Sequence, residues 1–176
     1  MHTEVKLEHP VKSIHPDLLG LLCMLYFFPF CKDKITFPEP VSVHFEEVFT
    51  KLLYPHEKMN GVFKKSGDFQ IRNVDKNMDR FSGSKYSIAL GGGVDSMAAH
   101  VLYPEAILTH EMSRNNKGEI IPDKTLSIIN EIKNKGGEAY SVVSNGRRCL
   151  TQPTGWTTWI SSSATAVLLA TDLDIG

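Results

Sequence analysis

The sequence predicts an α/β protein in which a doubly wound parallel sheet occupies residues 81–176. Short β-prone segments alternate with segments of helical period after residue 85, which is typical of right-handed βαβ units. A run of three glycines separates the first of these strands from the first helix. Residues 1–80 contain six prolines and no sustained period, so we expect them to form a small α+β accessory or cap region.

The composition is that of an ordinary folded protein. The chain has 176 residues, of which 41% are hydrophobic and 22% are charged, enough to bury a sizeable core. Nineteen Lys and Arg residues against twenty Asp and Glu residues give a net charge of −1, which argues against a broad nucleic-acid surface. Three widely spaced cysteines are typical of a reducing compartment, so we expect a cytoplasmic protein.

Two helices are predicted in the N-terminal region. The apolar stretch Leu18–Phe28 is shorter than the roughly 20 residues that a membrane-spanning helix needs, so we favour a buried or interface helix over a membrane anchor. Asp17 is the expected N-cap of this helix, which should end at Tyr26. Apolar residues at helical spacing predict an amphipathic helix over Val43–Tyr54.

The second half of the chain contains the alternating pattern. Its predicted strands are Tyr86–Leu90, Ala106–His110 and Ala139–Val143. The predicted helices contain, in order, the apolar positions Val94, Met97, Ala98 and Val101; Leu126, Ile129 and Ile132; and the segment Trp156–Leu169.

The ends of two elements carry further signals. Gly136–Gly137 should end the second of these helices as a C-terminal cap. Asp172–Ile175 resembles the entry to a fourth strand, so we expect the predicted sheet to be truncated at its C-terminal end. In a doubly wound sheet, that fourth strand lies beside the first.

The glycine run indicates an anion site. A strand, a glycine turn and a helix in this order place backbone N–H groups and a helix N-terminus at the carboxyl edge of the sheet, where they favour negative charge. Glycines let the backbone approach a phosphate without a Cβ atom in the way. Ser96 can add a hydroxyl donor, and Asp95 can cap the helix or hold a cation.

Other phosphate-binding motifs fit the segment less well. No lysine follows the glycines, so G-x-x-x-x-G-K-[ST] is absent. Ser96 stands where the dinucleotide motif G-x-G-x-x-G/A needs glycine or alanine. Glu111 does lie about 20 residues beyond the loop, where a dinucleotide site keeps its acid, so this alternative stays open.

The segment Gly91-Gly92-Gly93-Val94-Asp95-Ser96 resembles the S-G-G-x-D-S loop of the PP-loop ATP pyrophosphatase superfamily, of the adenine nucleotide alpha-hydrolase-like (HUP) type. GMP synthetase and 7-cyano-7-deazaguanine synthase type domains belong to this group. The resemblance covers roughly residues 85–176 and implies a Rossmann-like fold that binds ATP and Mg²⁺. It also implies an AMP-forming ligase chemistry, in which a carboxylate or carbonyl of a small-molecule substrate is adenylated and pyrophosphate leaves.

The same resemblance implies the site residues. Asp95 and Ser96 would be catalytic, and Asp95 would hold the metal. Gly91 departs from the superfamily, which has Ser there, so a phosphate donor is missing. Adenine is expected against the end of the second strand, mostly through backbone contacts. The implied nucleotide-binding residues are Gly91, Gly92, Gly93, Val94, Asp95, Ser96, Thr109, His110, Glu111 and, by its place after the third strand, Arg147.

Three further alternatives stay open. The first is a nucleotide-binding module without turnover, acting as a sensor or scaffold, which Gly91 motivates. The second is a flavodoxin-like or universal-stress-like domain that binds another nucleotide. The third is an unliganded βα turn. The pattern is compatible with a homodimer, and no Cys-x-x-Cys or other zinc-binding spacing occurs.

Overall fold

The computed structural model describes residues 6–28, 34–53, 70–115, 117–146 and 154–176, with the backbone alone at 52–53 and 154–162. The protein is α/β, with a mixed, mostly parallel sheet of four strands and a second sheet of two strands. The strands are β1 (Leu7–Glu8), β2 (Lys34–Ser42), β3 (Gln70–Asp75), β4 (Ser87–Ala89), β5 (Ile107–Ser113) and β6 (Ala139–Ser144). The α-helices are α1 (Pro16–Phe27), α2 (Val43–Val48), α3 (Val94–Leu102), α4 (Lys124–Asn134) and α5 (Thr154–Leu173).

The four-stranded sheet has the order β1-β6-β5-β4. Strands β4, β5 and β6 are parallel, with Ser87 opposite Ile107 and Leu108 opposite Ala139. Strand β1 pairs antiparallel with β6 at the far edge. The three strands and three helices predicted after residue 85 are therefore present, and β1 is a strand that the sequence pattern did not predict.

Helices cover both faces of this sheet. Leu108 packs in a cluster with Ile129 of α4, whereas its neighbour Ile107 packs with Leu18 of α1 and Ala170 of α5. Successive side chains of a strand point to opposite faces, so α4 lies on one face and α1 and α5 lie on the other. Strand β1 and helix α1, from the predicted N-terminal region, thus share the sheet and the core of the predicted nucleotide domain.

Helix α4 ends in the glycine cap that the sequence predicts. Gly136 has φ +86°, a left-handed conformation that glycine adopts without steric cost. The Gly137 N–H donates to the Ile132 carbonyl at 2.9 Å, and the Gly136 N–H donates to the Lys133 carbonyl at 3.0 Å. These two bonds form a Schellman motif, which satisfies the last carbonyls of the helix.

The predicted N-cap of the first helix is wrong. His15 is the N-cap of α1, and its Nδ1 accepts from the Asp17 N–H at 3.2 Å. Pro16 begins the helix, because its fixed φ suits the first helical position and it lacks an N–H that would need a partner. Asp17 is instead buried in the first turn, where its two carboxylate oxygens accept from the N–H and the hydroxyl of Ser42, each at 2.7 Å.

The predicted helix over Val43–Tyr54 begins as expected but is not regular. Helix α2 starts after Ser42, whose hydroxyl caps it, and is followed by a π-helical turn over Phe49–Leu53. The Thr50 hydroxyl donates to the Glu46 carbonyl at 2.7 Å, a local bond that competes with regular helix geometry. Tyr54 lies outside the described residues.

The two-stranded sheet was not predicted from the pattern. Strand β2 contains Pro38 and Pro40, which made the segment resemble a series of turns. Proline is tolerated on edge strands, and both strands of a two-stranded sheet are edges. The parallel pairing of β2 with β3 shifts in register between Thr36 and Val41, the stretch that contains both prolines.

Helix α3 is confirmed, but most of its apolar face is exposed. Val94 is 84% exposed and Val101 is 75% exposed, whereas Met97 packs against the cluster around Leu90. Strand β4 is the edge of the sheet, so the face of α3 that extends past this edge has no layer beneath it among the described residues.

The C-terminal segment differs in part from the prediction. Helix α5 continues to Leu173, so Asp172 and Leu173 are helical and do not enter a strand. Ile175 alone pairs with Lys85, in the parallel sense. The Lys85 N–H donates to the Asp174 carbonyl and the Gly176 N–H donates to the Lys85 carbonyl, both at 2.9 Å. Ile175 therefore lies beside the start of β4, where the fourth strand was predicted.

Candidate functional site

The glycine loop leaves the sheet at the carboxyl end of β4. Leu90 still belongs to the ladder, because its N–H donates to the Thr109 carbonyl of β5 at 2.7 Å. Gly91, Gly92 and Gly93 are exposed, and Gly93 is the N-cap of α3. Gly93 has no side chain to cap the helix, and the first N–H groups of a helix have no partner within it. The loop thus presents backbone donors and a positive helix end to the same open space.

The three glycines differ in their surroundings. A Cβ atom at Gly91 or Gly93 would meet no atom within 4 Å. Gly92 has φ +73°, and a Cβ atom there would lie 2.7 Å from Oγ1 of Thr125 in the first turn of α4. Of the three positions, only 92 requires glycine, both for its backbone conformation and for the lack of space for a Cβ atom. Gly92 is also the point at which the loop contacts α4.

The first turn of α3 carries the other predicted loop residues. Val94 and Asp95 are exposed, next to the backbone donors of the loop. The Ser96 hydroxyl donates to the Gly93 carbonyl at 3.1 Å, so it would have to rotate before it could donate to a ligand. Carboxylate, hydroxyl and backbone N–H groups are thus gathered within one helical turn at the sheet edge.

The residues predicted to contact adenine lie in the middle of β5 and not at its end, because the strand continues to Ser113. Thr109, His110 and Glu111 are 0%, 5% and 4% exposed. The carbonyl of Thr109 is already used by the Leu90 N–H. By the alternation of a strand, Thr109 and Glu111 face α1 and α5, whereas His110 faces the side of α3 and α4. The predicted contact of these residues with adenine stays a prediction.

The His110 ring connects the loop to α4. Its Nδ1 lies 2.8 Å from the Leu90 carbonyl oxygen, and its Nε2 lies 3.1 Å from Oδ2 of Asp123. A carbonyl oxygen only accepts, so Nδ1 carries the proton of that hydrogen bond. The Nε2 contact is at ion-pair distance, although its angle does not make it a hydrogen bond.

Asp123 is the N-cap of α4. Its Oδ1 accepts from the Thr125 N–H at 2.8 Å. Burial acts to raise the pKa of Asp123, but the hydrogen bonds from Thr125 and the neighbouring His110 outweigh it and hold the pKa below its ordinary value. Sequence reasoning missed Asp123 and Thr125 as parts of this site. An Asp directly before a helical pattern was the available signal, but nothing local linked it to the glycine loop.

Arg147, which is predicted to bind the nucleotide, lies outside the described residues. Arg114, which follows β5, binds Glu8 through Nε and Nη2 at 2.9 and 2.5 Å, and its Nη1 donates to the Gly118 carbonyl at 2.6 Å. Arg114 therefore joins β5 to β1 and does not face the glycine loop.

The described residues hold no cluster of three or more His, Cys, Asp or Glu side chains that could bind a metal ion. A cation at Asp95 would need the oxygen atoms of a bound phosphate as its further ligands, which is the usual arrangement for Mg²⁺. Within the same part of the chain, none of the helices has the length and apolar character required to span a membrane.

Comparison with known proteins yields no family for this chain. No family model, no curated protein and no solved structure matches it. Function is therefore inferred from the chemistry of the loop and the residues around it.

Proposed function

We propose that this protein binds ATP through a PP-loop on a doubly wound, Rossmann-like domain and adenylates a carboxylate or carbonyl of a small-molecule substrate, with release of pyrophosphate. The observation that carries the proposal is the exposed glycine loop at the carboxyl end of β4. Its central residue, Gly92, fits only as glycine, and the loop continues directly into the N-terminus of α3.

The electrostatics of the loop support an anionic ligand. The N–H groups at the start of α3 and the helix dipole favour a phosphate, and the open space around Gly91 and Gly93 leaves room for it. Asp95 is exposed in the same turn and would repel a phosphate unless a cation lay between them. Mg²⁺ bound by one carboxylate and phosphate oxygens fits this arrangement, and it would neutralise part of the phosphate charge.

The proposed reaction follows from these donors. A substrate oxygen attacks the α-phosphorus of ATP, a new P–O bond forms, and the bond to the leaving pyrophosphate breaks. Negative charge grows on the pyrophosphate as it leaves, and fixed backbone N–H groups stabilise that charge without a proton transfer. Ser96 would add a hydroxyl donor after rotating away from the Gly93 carbonyl.

Thermal unfolding in the presence of ATP tests the proposal. We expect ATP with Mg²⁺ to raise the melting temperature, because a ligand that binds only the folded state stabilises it. Asp95→Ala and Ser96→Ala should abolish or strongly reduce the shift. Glu105→Ala is the matched control, since it removes an exposed carboxylate beyond the other end of α3. The absence of a shift with ATP, GTP or pyrophosphate in the wild type would overturn the proposal.

A second candidate function is nucleotide binding without turnover, and Gly91 is the observation that favours it. The superfamily that the loop resembles has Ser at this position, and a hydrogen bond to a charged group is worth about 1.5–3 kcal/mol. Gly91 has no positive φ, and a Cβ atom there meets nothing within 4 Å, so a serine fits.

Gly91→Ser distinguishes the two candidates. If the missing hydroxyl limits turnover, this variant should release pyrophosphate from ATP with a panel of carboxylic acids faster than the wild type. Gly91→Ala is the control, since it adds the Cβ atom without the hydroxyl. Release of pyrophosphate by the wild type with any of the acids would reject the second candidate.

A further inference from the structure

A chain of polar contacts joins the start and the centre of the glycine loop to helix α4. His110 binds the carbonyl of Leu90, the residue before the loop, at 2.8 Å. Oδ2 of Asp123 lies 3.1 Å from the same ring, while Oδ1 of Asp123 accepts from the Thr125 N–H at 2.8 Å. Thr125 in turn lies against Gly92, the centre of the loop.

The two carboxylate oxygens of Asp123 thus serve two different elements. One oxygen caps α4 and the other faces the histidine of β5. His110 and Thr125 are 5% and 3% exposed, whereas the Asp123 side chain between them is 39% exposed. The bond from His110 to Leu90 is therefore made away from water, where polar groups without partners are costly. This burial favours the connected arrangement over one in which the loop moves away.

The loop itself has little to hold it in place. Three consecutive glycines have no side chains that pack, and glycine loses more conformational freedom on ordering than any other residue. A ligand that must order such a loop binds more weakly than one that meets it already ordered. Contacts to Leu90 and Gly92, on either side of Gly91, remove much of this freedom before any ligand arrives.

We propose that His110 and Asp123 are positioning residues, which hold the glycine loop in the conformation that accepts the phosphates of the ligand. The inference rests on the proposed function for its ligand, and on the chain of polar contacts from Leu90 through His110 and Asp123 to Thr125 for its mechanism. His110 acts through the loop and does not touch the phosphates. Its buried side chain therefore has a role distinct from the predicted backbone contact with adenine.

Substitutions at His110 separate the two ring contacts. His110→Leu removes both contacts and should weaken the binding of ATP about tenfold, as measured by calorimetry. A tenfold change in affinity corresponds to the free energy of one modest hydrogen bond. His110→Asn places an amide N–H near the position of Nδ1 and should recover most of the affinity by restoring the bond to Leu90. His110→Gln reaches only the position of Nε2 and should not recover it.

Further variants test Asp123 and provide the control. Asp123→Ser keeps an N-cap for α4 but is too short to reach His110, so it should weaken ATP binding while α4 stays capped. His15→Asn is the matched histidine control, since it changes an N-cap at α1 and should leave ATP affinity within about twofold, well below the effect of one hydrogen bond.

A measurement on the protein without ligand tests the positioning role separately from the proposed function. In the wild type, NMR order parameters of the Gly91–Gly93 amides should be those of an ordered backbone, and His110→Leu should lower them while leaving those of α5 unchanged. Equal order parameters in both proteins would overturn the positioning role even if ATP binds. If the order parameters behave as expected but neither ATP nor pyrophosphate binds, the proposed function is overturned and the positioning role is not.

Discussion

At the residue scale, the glycine run illustrates how identical residues can have different roles. Gly91 and Gly93 have open surroundings, so their value lies in the backbone that they leave accessible. Gly92 combines a positive φ with a close contact to Thr125. The sequence shows three identical residues, and only the packing of α4 against the loop distinguishes the central glycine.

Gly92→Ala should therefore be strongly destabilising. The substitution adds left-handed strain of about 1–3 kcal/mol and a clash with Oγ1 of Thr125. Gly118→Ala is the matched control, because Gly118 has φ +83° and open space around its Cβ position. Urea unfolding should show a larger loss at Gly92 than at Gly118. Thr125→Ala in the Gly92→Ala background should recover the additional loss of stability seen at Gly92, because it removes Oγ1. Equal losses of stability in Gly92→Ala and Gly118→Ala would contradict the clash.

At the element scale, helix α1 is placed by polar contacts as well as by its apolar residues. Leu22 and Tyr26 pack in the cluster with Val142 of the main sheet, whereas Met24 packs with the residues of the small sheet. Asp17 connects the start of the helix to Ser42 at the junction of β2 and α2. This helix therefore joins the two sheets, which explains why Leu18–Phe28 is so apolar.

Asp17→Ala tests this connection. It leaves the N–H and the hydroxyl of Ser42 buried without their carboxylate partner, so we expect a loss of about 2–4 kcal/mol in the free energy of unfolding. Asp17→Asn should cost less, since its amide retains an acceptor for the N–H. Asp172→Ala, which removes an exposed acceptor of the Lys12 N–H, is the control and should cost under about 1 kcal/mol. Similar losses at Asp17 and Asp172 would argue against the connection.

At the scale of the whole molecule, Ile175 covers the start of the edge strand β4, whereas the face of α3 that extends past this strand is exposed. Ile175 pairs with Lys85 and is 5% exposed, in a cluster with Leu18, Ile107 and Ala170. Val101 and Leu102 of α3 are 75% and 73% exposed. Apolar residues thus have opposite environments on the two sides of the same edge.

Ile175→Ala and Val101→Ala should differ in their loss of stability, because the first side chain is buried and the second is exposed. Removal of the buried Ile175 side chain leaves a cavity against α1 and α5, at a cost of about 2–4 kcal/mol. Truncation of exposed Val101 should change stability by less than about 0.5 kcal/mol. Thermal or urea unfolding of both variants measures the contrast. A large loss for Val101→Ala would show that the face of α3 is buried in solution.

Most elements of the second half were predictable because their signals are local. The period of α4, the glycines at its end and the β-prone segment of β5 each lie within a few residues. The first half was less predictable, since Pro38 and Pro40 occur inside a strand and Pro16 displaced the N-cap from Asp17 to His15. The position of the glycine loop between β4 and α3 was predictable, but the approach of Asp123 and Thr125 to it was not.

The sequence by itself determined the order of strands and helices after residue 85, and the place where a glycine loop meets a helix N-terminus, because periodicity, capping and turn formation depend on neighbouring residues. Only the tertiary structure decided which side chains lie next to that loop and which apolar face is exposed. His110 meets Leu90 across 20 positions, Asp17 meets Ser42 across 25, and Ile175 meets Lys85 from the other end of the domain. Such contacts depend on how the sheet and the helices pack, and no local pattern of residues encodes that packing.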